Sequence, residues 1–266
     1  MFPISDSDNS GRFPFITFLI ILANVVVFFL ELTAPDTDLF ISQYALISAN
    51  VNFADWHTLT PFITSQFLHA GWLHIIGNML FLWVFGDNIE RRLGFFYLPF
   101  YLLSGTIGGL TQYFLDPHST IPALGASGAI AGVLGAYLVL FPRNLINTVI
   151  FVFFFFTVTK VPAPIMLIYW FATQIFSGVA SIASINQGGV AYFAHIGGFI
   201  FGILTALLLT NPKAPDQVRG WRWSGEARPN QAPAEAGVEG SMPRAERSGV
   251  RGSLLIRPRE KNKLQS

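Results

Sequence analysis

Cysteine is missing from all 266 residues. That excludes a disulfide framework, a thiol nucleophile and a thiolate metal site. Charge is scarce too. Only 12% of the residues are Asp, Glu, Lys or Arg, where a soluble domain carries about a quarter. The first residues, Met1 to Arg12, have neither a positively charged start nor a small-residue cleavage site, so they do not read as a signal peptide. What the chain does have is apolar: 52% hydrophobic residues, 27 of them Phe, and a mean hydropathy of +0.50. This composition is that of helices bathed in lipid.

Six apolar runs cover about 13–32, 70–88, 95–115, 126–141, 162–182 and 191–210. Lipid has no water to satisfy a backbone, so spanning segments of this kind are helices. The expectation is an all-α polytopic membrane protein, a six-transmembrane-helix bundle. Its domains are a cytoplasmic segment 1–12, a six-helix domain 13–210 and a disordered cytoplasmic tail 211–266. Up to the start of the tail, the basic residues are Arg12, Arg91, Arg92, Arg143 and Lys160, with Lys213 just inside it, while 33–69, 116–125 and 183–190 carry none. The positive-inside rule then puts both termini in the cytoplasm, as an even number of spans requires. Between spans four and five, 144–159 is too short to cross again and reads as an irregular or strand-like segment at the cytoplasmic interface. The external loop 33–69, with Phe53, Trp56, Pro61, Phe62 and Phe67, is expected to fold against the bilayer interface. The Pro-, Gly- and Arg-rich tail reads as solvated, with contact to anionic lipid as the other reading.

Polar groups inside a membrane are costly, and each is a candidate for function. His74 and Asn78 stand at i and i+4, so they share one helix face; by themselves they read more often as interhelical hydrogen-bonding residues. Ser127 lies in Gly125-Ala126-Ser127-Gly128 at the start of an apolar run, a pattern that alone most often means packing. The run lacks the last glycine of the Gly-x-Ser-x-Gly elbow of soluble hydrolases, since residue 129 is Ala. His195 follows Ala194, and Ala194, Gly198 and Gly202 form a stripe at spacing four. Such a stripe lets another backbone come close, and the natural partner is the helix carrying Gly125, Gly128, Gly132 and Gly135. That crossing would bring His195 to Ser127.

Depth agrees. At about 1.5 Å per residue, Ser127 stands roughly 21 Å above the cytoplasmic end of its helix, His195 about 22 Å and His74 about 18 Å above theirs. In a hydrocarbon core of about 30 Å, Ser127 lies roughly 9 Å below the outer surface. The fourth helix is then short and submerged, and the chain before it, 116–125, must descend into protein or line water.

These residues resemble those of the rhomboid intramembrane serine proteases, in the bacterial six-span form, over 13–210. The matching motifs are His74-xxx-Asn78, Gly125-x-Ser127-Gly128, Ala194-His195-xx-Gly198-xxx-Gly202, and Phe85 to Gly94, which looks like the family's turn after the second span. The resemblance implies a Ser-His dyad with Ser127 as nucleophile and His195 as general base and acid. It implies an oxyanion site of Asn78, His74 and the Ser127 backbone N–H, supported by Gly125, Gly128, Ala194, Gly198 and Gly202. It implies no cofactor and no metal. The expected partners are the lipid bilayer and single-pass transmembrane proteins cut near their outer end, not nucleic acid. The expected location is the bacterial cytoplasmic membrane. Entry by sideways movement of the fifth helix and the cap 183–190 is a family expectation, with which Pro162, Pro164, Gly178, Gly188 and Gly189 are compatible. Two positions depart from the family. Ala131 stands where an aromatic often supports the histidine, leaving Tyr192 or Phe193 for that task. Trp56 is followed by His57 where many members have Arg.

Three other readings remain at this point. One is a rhomboid-like protein that binds membrane helices without cutting them. A transporter is another, against which stand the lack of an inverted repeat and a polar layer above the midplane. The third is a metal site of His69, His74 and His195, without a carboxylate partner in the spans.

Overall fold

Helix α6 (Ser127–Leu140) forms the centre of the molecule: every residue from Gly128 to Tyr137 is buried. A helix apolar on all sides is stable only when surrounded, and here α4 (Trp72–Leu93), α5 (Tyr97–Leu115) and α8 (Tyr192–Leu209) pack around it. The computed structural model describes residues 2–7, 13–152, 155–183 and 191–210. The tail 211–266, Arg12, and the cap residues Gly188 and Gly189, about which the sequence raised expectations, lie outside the described residues.

The outer helices are α1 (Phe15–Leu32) and α7 (Ala163–Ala183). The first is long and apolar enough to cross a bilayer, as are the stretch Trp72–Leu115 and α8; α6 and Ala163–Ser177 of α7 are shorter apolar helices. Leu22, Val26 and Phe29 on α1, and Ile200, Leu204 and Leu208 on α8, stay exposed at near-helical spacing. An apolar belt of this size is what a lipid-facing surface looks like. The core beneath it joins Leu82, Phe85 and Ile89 of α4 to Tyr97 and Tyr101 of α5, Leu134 and Tyr137 of α6 and Phe199 of α8.

Expected and observed helices differ most at α4. The segment read as a turn after the second span is helical through Leu93, and the helix stops at Gly94, whose φ of +56° suits a residue without a β-carbon. Tertiary partners explain the extension. Glu90 turns its carboxylate to the start of α1, accepting from Ile16 N at 2.9 Å and Thr17 N at 2.8 Å. These are two of the amides that a helix start leaves without partners. Asn88 donates to the carboxylate of Asp6, which also accepts from the Tyr137 hydroxyl at 2.7 Å.

Asp6 belongs to a sheet, so the all-α expectation is corrected to a mostly helical fold with three strands among the described residues. β2 (Leu145–Val152) and β3 (Phe155–Pro162) are the antiparallel, strand-like content anticipated for 144–159; Leu145 pairs with Pro162 and Val152 with Phe155. β1 (Phe2–Asp6) adds to β2 in antiparallel register, Phe2 opposite Val149 and Asp6 opposite Ile146, with an irregularity between Pro3 and Ser5. β-Branched and aromatic residues fill β2 and β3 as strands prefer. β1 has no such pattern and was not anticipated.

The loop between α1 and α4 is folded throughout, with α2 (Thr37–Tyr44), α3 (Pro61–Thr64) and several single 3₁₀ turns. Asp36 caps α2 by accepting from Leu39 N at 2.9 Å. Phe62 and Leu68 are buried beneath the loop, while Phe53 and Trp56 are exposed on it. The loop also holds the chain that enters α6: Leu46 and Ala123 exchange backbone hydrogen bonds, and Gly125 N donates to Ser65 O at 2.8 Å. Ala123 N and O and Gly125 N of this non-helical entry are thereby partnered.

Candidate active site

Helix α6 begins at Ser127, and Gly125 makes the turn into it with φ +125°. That conformation alone selects glycine. A second reason is contact: a β-carbon on Gly125 would stand 2.8 Å from Cε1 and Nε2 of His74. The chain thus passes directly under the His74 ring before presenting the Ser127 side chain.

Across from it, His195 is buried on the first turn of α8. Its Nε2 lies 2.6 Å from Ser127 Oγ. The approach depends on small residues. A β-carbon on Gly198 would overlap the carbonyl oxygen of Gly128, and one on Gly202 would overlap that of Gly132. Gly135 meets Phe199 O in the same way. The stripe inferred from spacing is therefore a backbone-to-backbone crossing of α6 and α8. Ala194, one residue before the histidine, covers Gly128, its carbonyl oxygen 3.6 Å from where a β-carbon would sit.

The other face of the imidazole was not foreseen. His195 Nδ1 is 2.7 Å from Oε1 of Gln174 on α7. The Trp170 ring lies 5.9 Å from the imidazole, tilted by 38°. Tyr192, one of the two residues expected to support the ring, meets it edge-on at 6.3 Å. Ala131 is fully buried inside α6. The signal for Gln174 was present in the sequence: it is an amide in an otherwise apolar helix, and such groups are functional candidates by default.

His74 and Asn78 both turn toward Gly125. His74 Nδ1 accepts from Ala70 N at 3.3 Å, so the proton of the neutral ring belongs on Nε2, the atom that faces Gly125. Asn78 is buried, and its Nδ2 finds no acceptor among the described residues. That nitrogen is 3.6 Å from the position of a Gly125 β-carbon. Two side-chain donors and the free amides of a helix start are thus gathered at one turn, a geometry able to hold a negative oxygen.

Beside Ser127 is a cavity of about 30 Å³, with Ser65, Gln66, Gln112 and Ala194 in its wall. The Oε1 atoms of Gln66 and Gln112 are buried without partners among the described residues. A space of this size with polar walls suits one water molecule.

His69 is set apart from this chemistry. It is wholly buried with neither ring nitrogen partnered among the described residues. Its backbone N donates to Glu31 Oε2 at 3.1 Å, and its ring sits 5.1 Å from that of His74. Burial first, and the neighbouring His74 second, push its pKa down to about 4. Among the described residues, no three His, Cys, Asp or Glu side chains are grouped so as to hold a metal ion.

Comparison with known proteins matches residues 56–212 to the Rhomboid domain family. YdcA of Bacillus subtilis (strain 168) is 36% identical over 141 residues, which cover 51% of this chain and 67% of YdcA. The rhomboid protease GluP of the same organism is 32% identical over 206 residues, 76% of this chain and 36% of GluP. Rhomboid protein 1, mitochondrial, of Saccharomyces cerevisiae is 35% identical over 149 residues, 53% of this chain and 39% of the yeast protein. The matched regions thus cover less than half the length of GluP and of the yeast protein.

Proposed function

This chain belongs to the rhomboid family of integral membrane proteins, and from that premise we propose that it is a serine endopeptidase that hydrolyses peptide bonds within the membrane. The observation that carries the proposal is the 2.6 Å approach of His195 Nε2 to Ser127 Oγ, which is the reach a general base needs. Ser127 Oγ attacks the scissile carbonyl carbon while its proton passes to His195 Nε2. The carbonyl oxygen, now negative, is received by Asn78 Nδ2, His74 Nε2 and the Ser127 N–H, with the positive end of the α6 dipole behind them. Collapse of the tetrahedral intermediate expels the amine, which takes the proton from His195, and leaves an acyl ester on Ser127. Water from the cavity beside Gln66 and Gln112 then gives a proton to His195 as its oxygen attacks the ester carbon; the C–Oγ bond breaks, Ser127 Oγ takes the proton back from His195, and the carboxylic acid product leaves.

In this reading α1, α4, α5, α6, α7 and α8 are the six spans, and 13–210 is the protease domain. Both termini lie in the cytoplasm, that of a bacterium on this reading, and the short α6 leaves Ser127 below the outer surface. Arg91 and Arg92 in the last turn of α4 and Lys160 near the end of β3 support that orientation. The substrates are single-pass membrane proteins. Their helices hide peptide bonds in intrahelical hydrogen bonds, so cleavage requires an unwound stretch near the outer end, reached between α7 and its neighbours.

The test is purified wild type beside Ser127→Ala in detergent, with a generic transmembrane substrate and with a fluorophosphonate probe. Labelling and cleavage by wild type alone support the assignment. Equal cleavage by both proteins overturns it. A wild type that binds transmembrane helices but neither cleaves nor takes up the probe marks a binding-only rhomboid.

A further inference from the structure

Gln174 makes a hydrogen bond that the Ser-His chemistry above does not account for. It stands on α7, one turn beyond Trp170, and its side chain reaches across to His195 with Oε1 2.7 Å from Nδ1. An amide can present either end, and the surroundings decide which. Gln174 Nε2 donates to Thr173 Oγ1 at 3.2 Å and to Trp170 O at 3.4 Å. The Thr173 hydroxyl donates in turn to Trp170 O at 2.6 Å. Both acceptors for the amide hydrogens are therefore on α7 itself, and the carbonyl end is left for the imidazole.

An oxygen that can only accept requires a proton on Nδ1. The proton of the neutral ring then cannot be on Nε2, and the lone pair of Nε2 faces Ser127 Oγ. The opposite tautomer would set the Nδ1 lone pair against the amide oxygen and aim an N–H at the serine, where no proton could be accepted. We propose that Gln174 is the positioning residue of this site, holding His195 in the tautomer and orientation that makes it a base toward Ser127. This rests on the Ser-His reading above. The task is the one a buried carboxylate performs in soluble serine hydrolases. Here a neutral dipole does it, which suits a membrane interior where an ionised carboxylate is costly to bury. When Nε2 takes the serine proton, both ring nitrogens carry hydrogens, and the Gln174 oxygen remains as acceptor for the one on Nδ1.

The experiment compares full-length wild type, Gln174→Met, Gln174→Glu, Gln174→Asn and Ser127→Ala by fluorophosphonate labelling rate, by kcat and KM on one transmembrane substrate, and by thermal unfolding. Methionine keeps the volume and removes the acceptor. The expected result is a kcat and labelling rate lower by about 10- to 100-fold, the range seen when a neutral or charged partner that orients a metal-binding histidine is lost, with KM within about twofold. Gln174→Glu keeps an acceptor. It is expected to recover most of the rate at alkaline pH, with the acid limb of its rate–pH profile displaced upward, because a carboxylate at Nδ1 favours the protonated ring. Should Gln174→Met fail to fold, Gln174→Asn, whose shorter side chain withdraws the oxygen, shows the same loss. A folded Gln174→Met or Gln174→Asn with wild-type kcat overturns the proposal. So do Met and Glu variants that are equally slow with one common pH profile. Activity in Ser127→Ala overturns the Ser-His reading itself; an inert Ser127→Ala beside a fully active Gln174→Met overturns the positioning role alone.

Discussion

Gly198 of α8 lies on the carbonyl oxygen of Gly128 of α6 with no room for a β-carbon between them. The contact is one turn from His195 on one helix and one residue from Ser127 on the other. Spacing of the helices and spacing of Ser127 from His195 are therefore the same variable. Gly198→Ala must either push α8 outward or deform α6. Overpacking of this kind costs about 1–3 kcal/mol, which lowers the thermal midpoint measured in detergent. Activity is expected to fall further than that loss of folded protein explains, since a displacement of about 1 Å at reacting groups can cost on the order of 100-fold. Fluorophosphonate labelling per folded molecule is the check; a variant labelled at the wild-type rate would separate the glycine contact from the chemistry.

Asn78 offers the cleanest separation of binding from rate. Its Nδ2 is buried and unpartnered among the described residues, so truncation breaks no hydrogen bond of the resting protein. Asn78→Ala is therefore expected to leave thermal stability near that of wild type. If the amide meets the developing oxyanion, kcat drops by about 100- to 1000-fold while KM changes little. A loss confined to KM would instead place Asn78 among substrate-binding residues.

Reading the chain alone reached Ser127, His195 and the glycine crossing because each carries a signal independent of its partner. A stripe of small residues at spacing four has few uses besides close approach, and a histidine in an apolar run must be explained. Gln174 carried the same kind of signal, but nothing in its spacing relates it to His195, which stands on the next long helix. The strand β1 had no signal at all: its five residues include Pro3, Ser5 and Asp6, and its sheet partners lie far along the chain, at Ile146 to Val149. At α4 the signal pointed the wrong way. Gly86, Asp87 and Asn88 have turn-forming chemistry, yet the helix continues because Asn88 and Glu90 are held by Asp6 and by the start of α1. Tertiary hydrogen bonds outweighed local preference there.

Glu90 gives a prediction about assembly rather than catalysis. Its two oxygens each accept one amide from the first turn of α1. Glu90→Ala leaves both amides to compete for water or headgroups and removes a negative charge from a positive helix end. The expected cost is about 1–2 kcal/mol. It is read as a lower thermal midpoint, with the labelling rate of Ser127 in the folded fraction unchanged. Unchanged stability would mean that α1 finds other partners for its first turn.

His69 predicts how stability responds to acid. Its pKa is near 4 in the folded protein against an ordinary value of 6.5, chiefly because burial penalises the charged ring. Above pH 6.5 the ring is neutral in both states and contributes no pH dependence. As pH falls below 6.5, the unfolded chain binds a proton that the folded one refuses, and stability is lost. The loss continues until the pH reaches about 4, where the folded protein also takes up the proton and the dependence levels off. At about 1.36 kcal/mol for each pH unit, the full effect is on the order of 3 kcal/mol. His69→Phe keeps an aromatic ring against Phe28 and removes the titration. Its thermal midpoint is therefore expected to fall less than that of wild type between pH 7 and pH 5. Parallel curves for the two proteins would show that His69 is protonated, or reached by water, in the folded state.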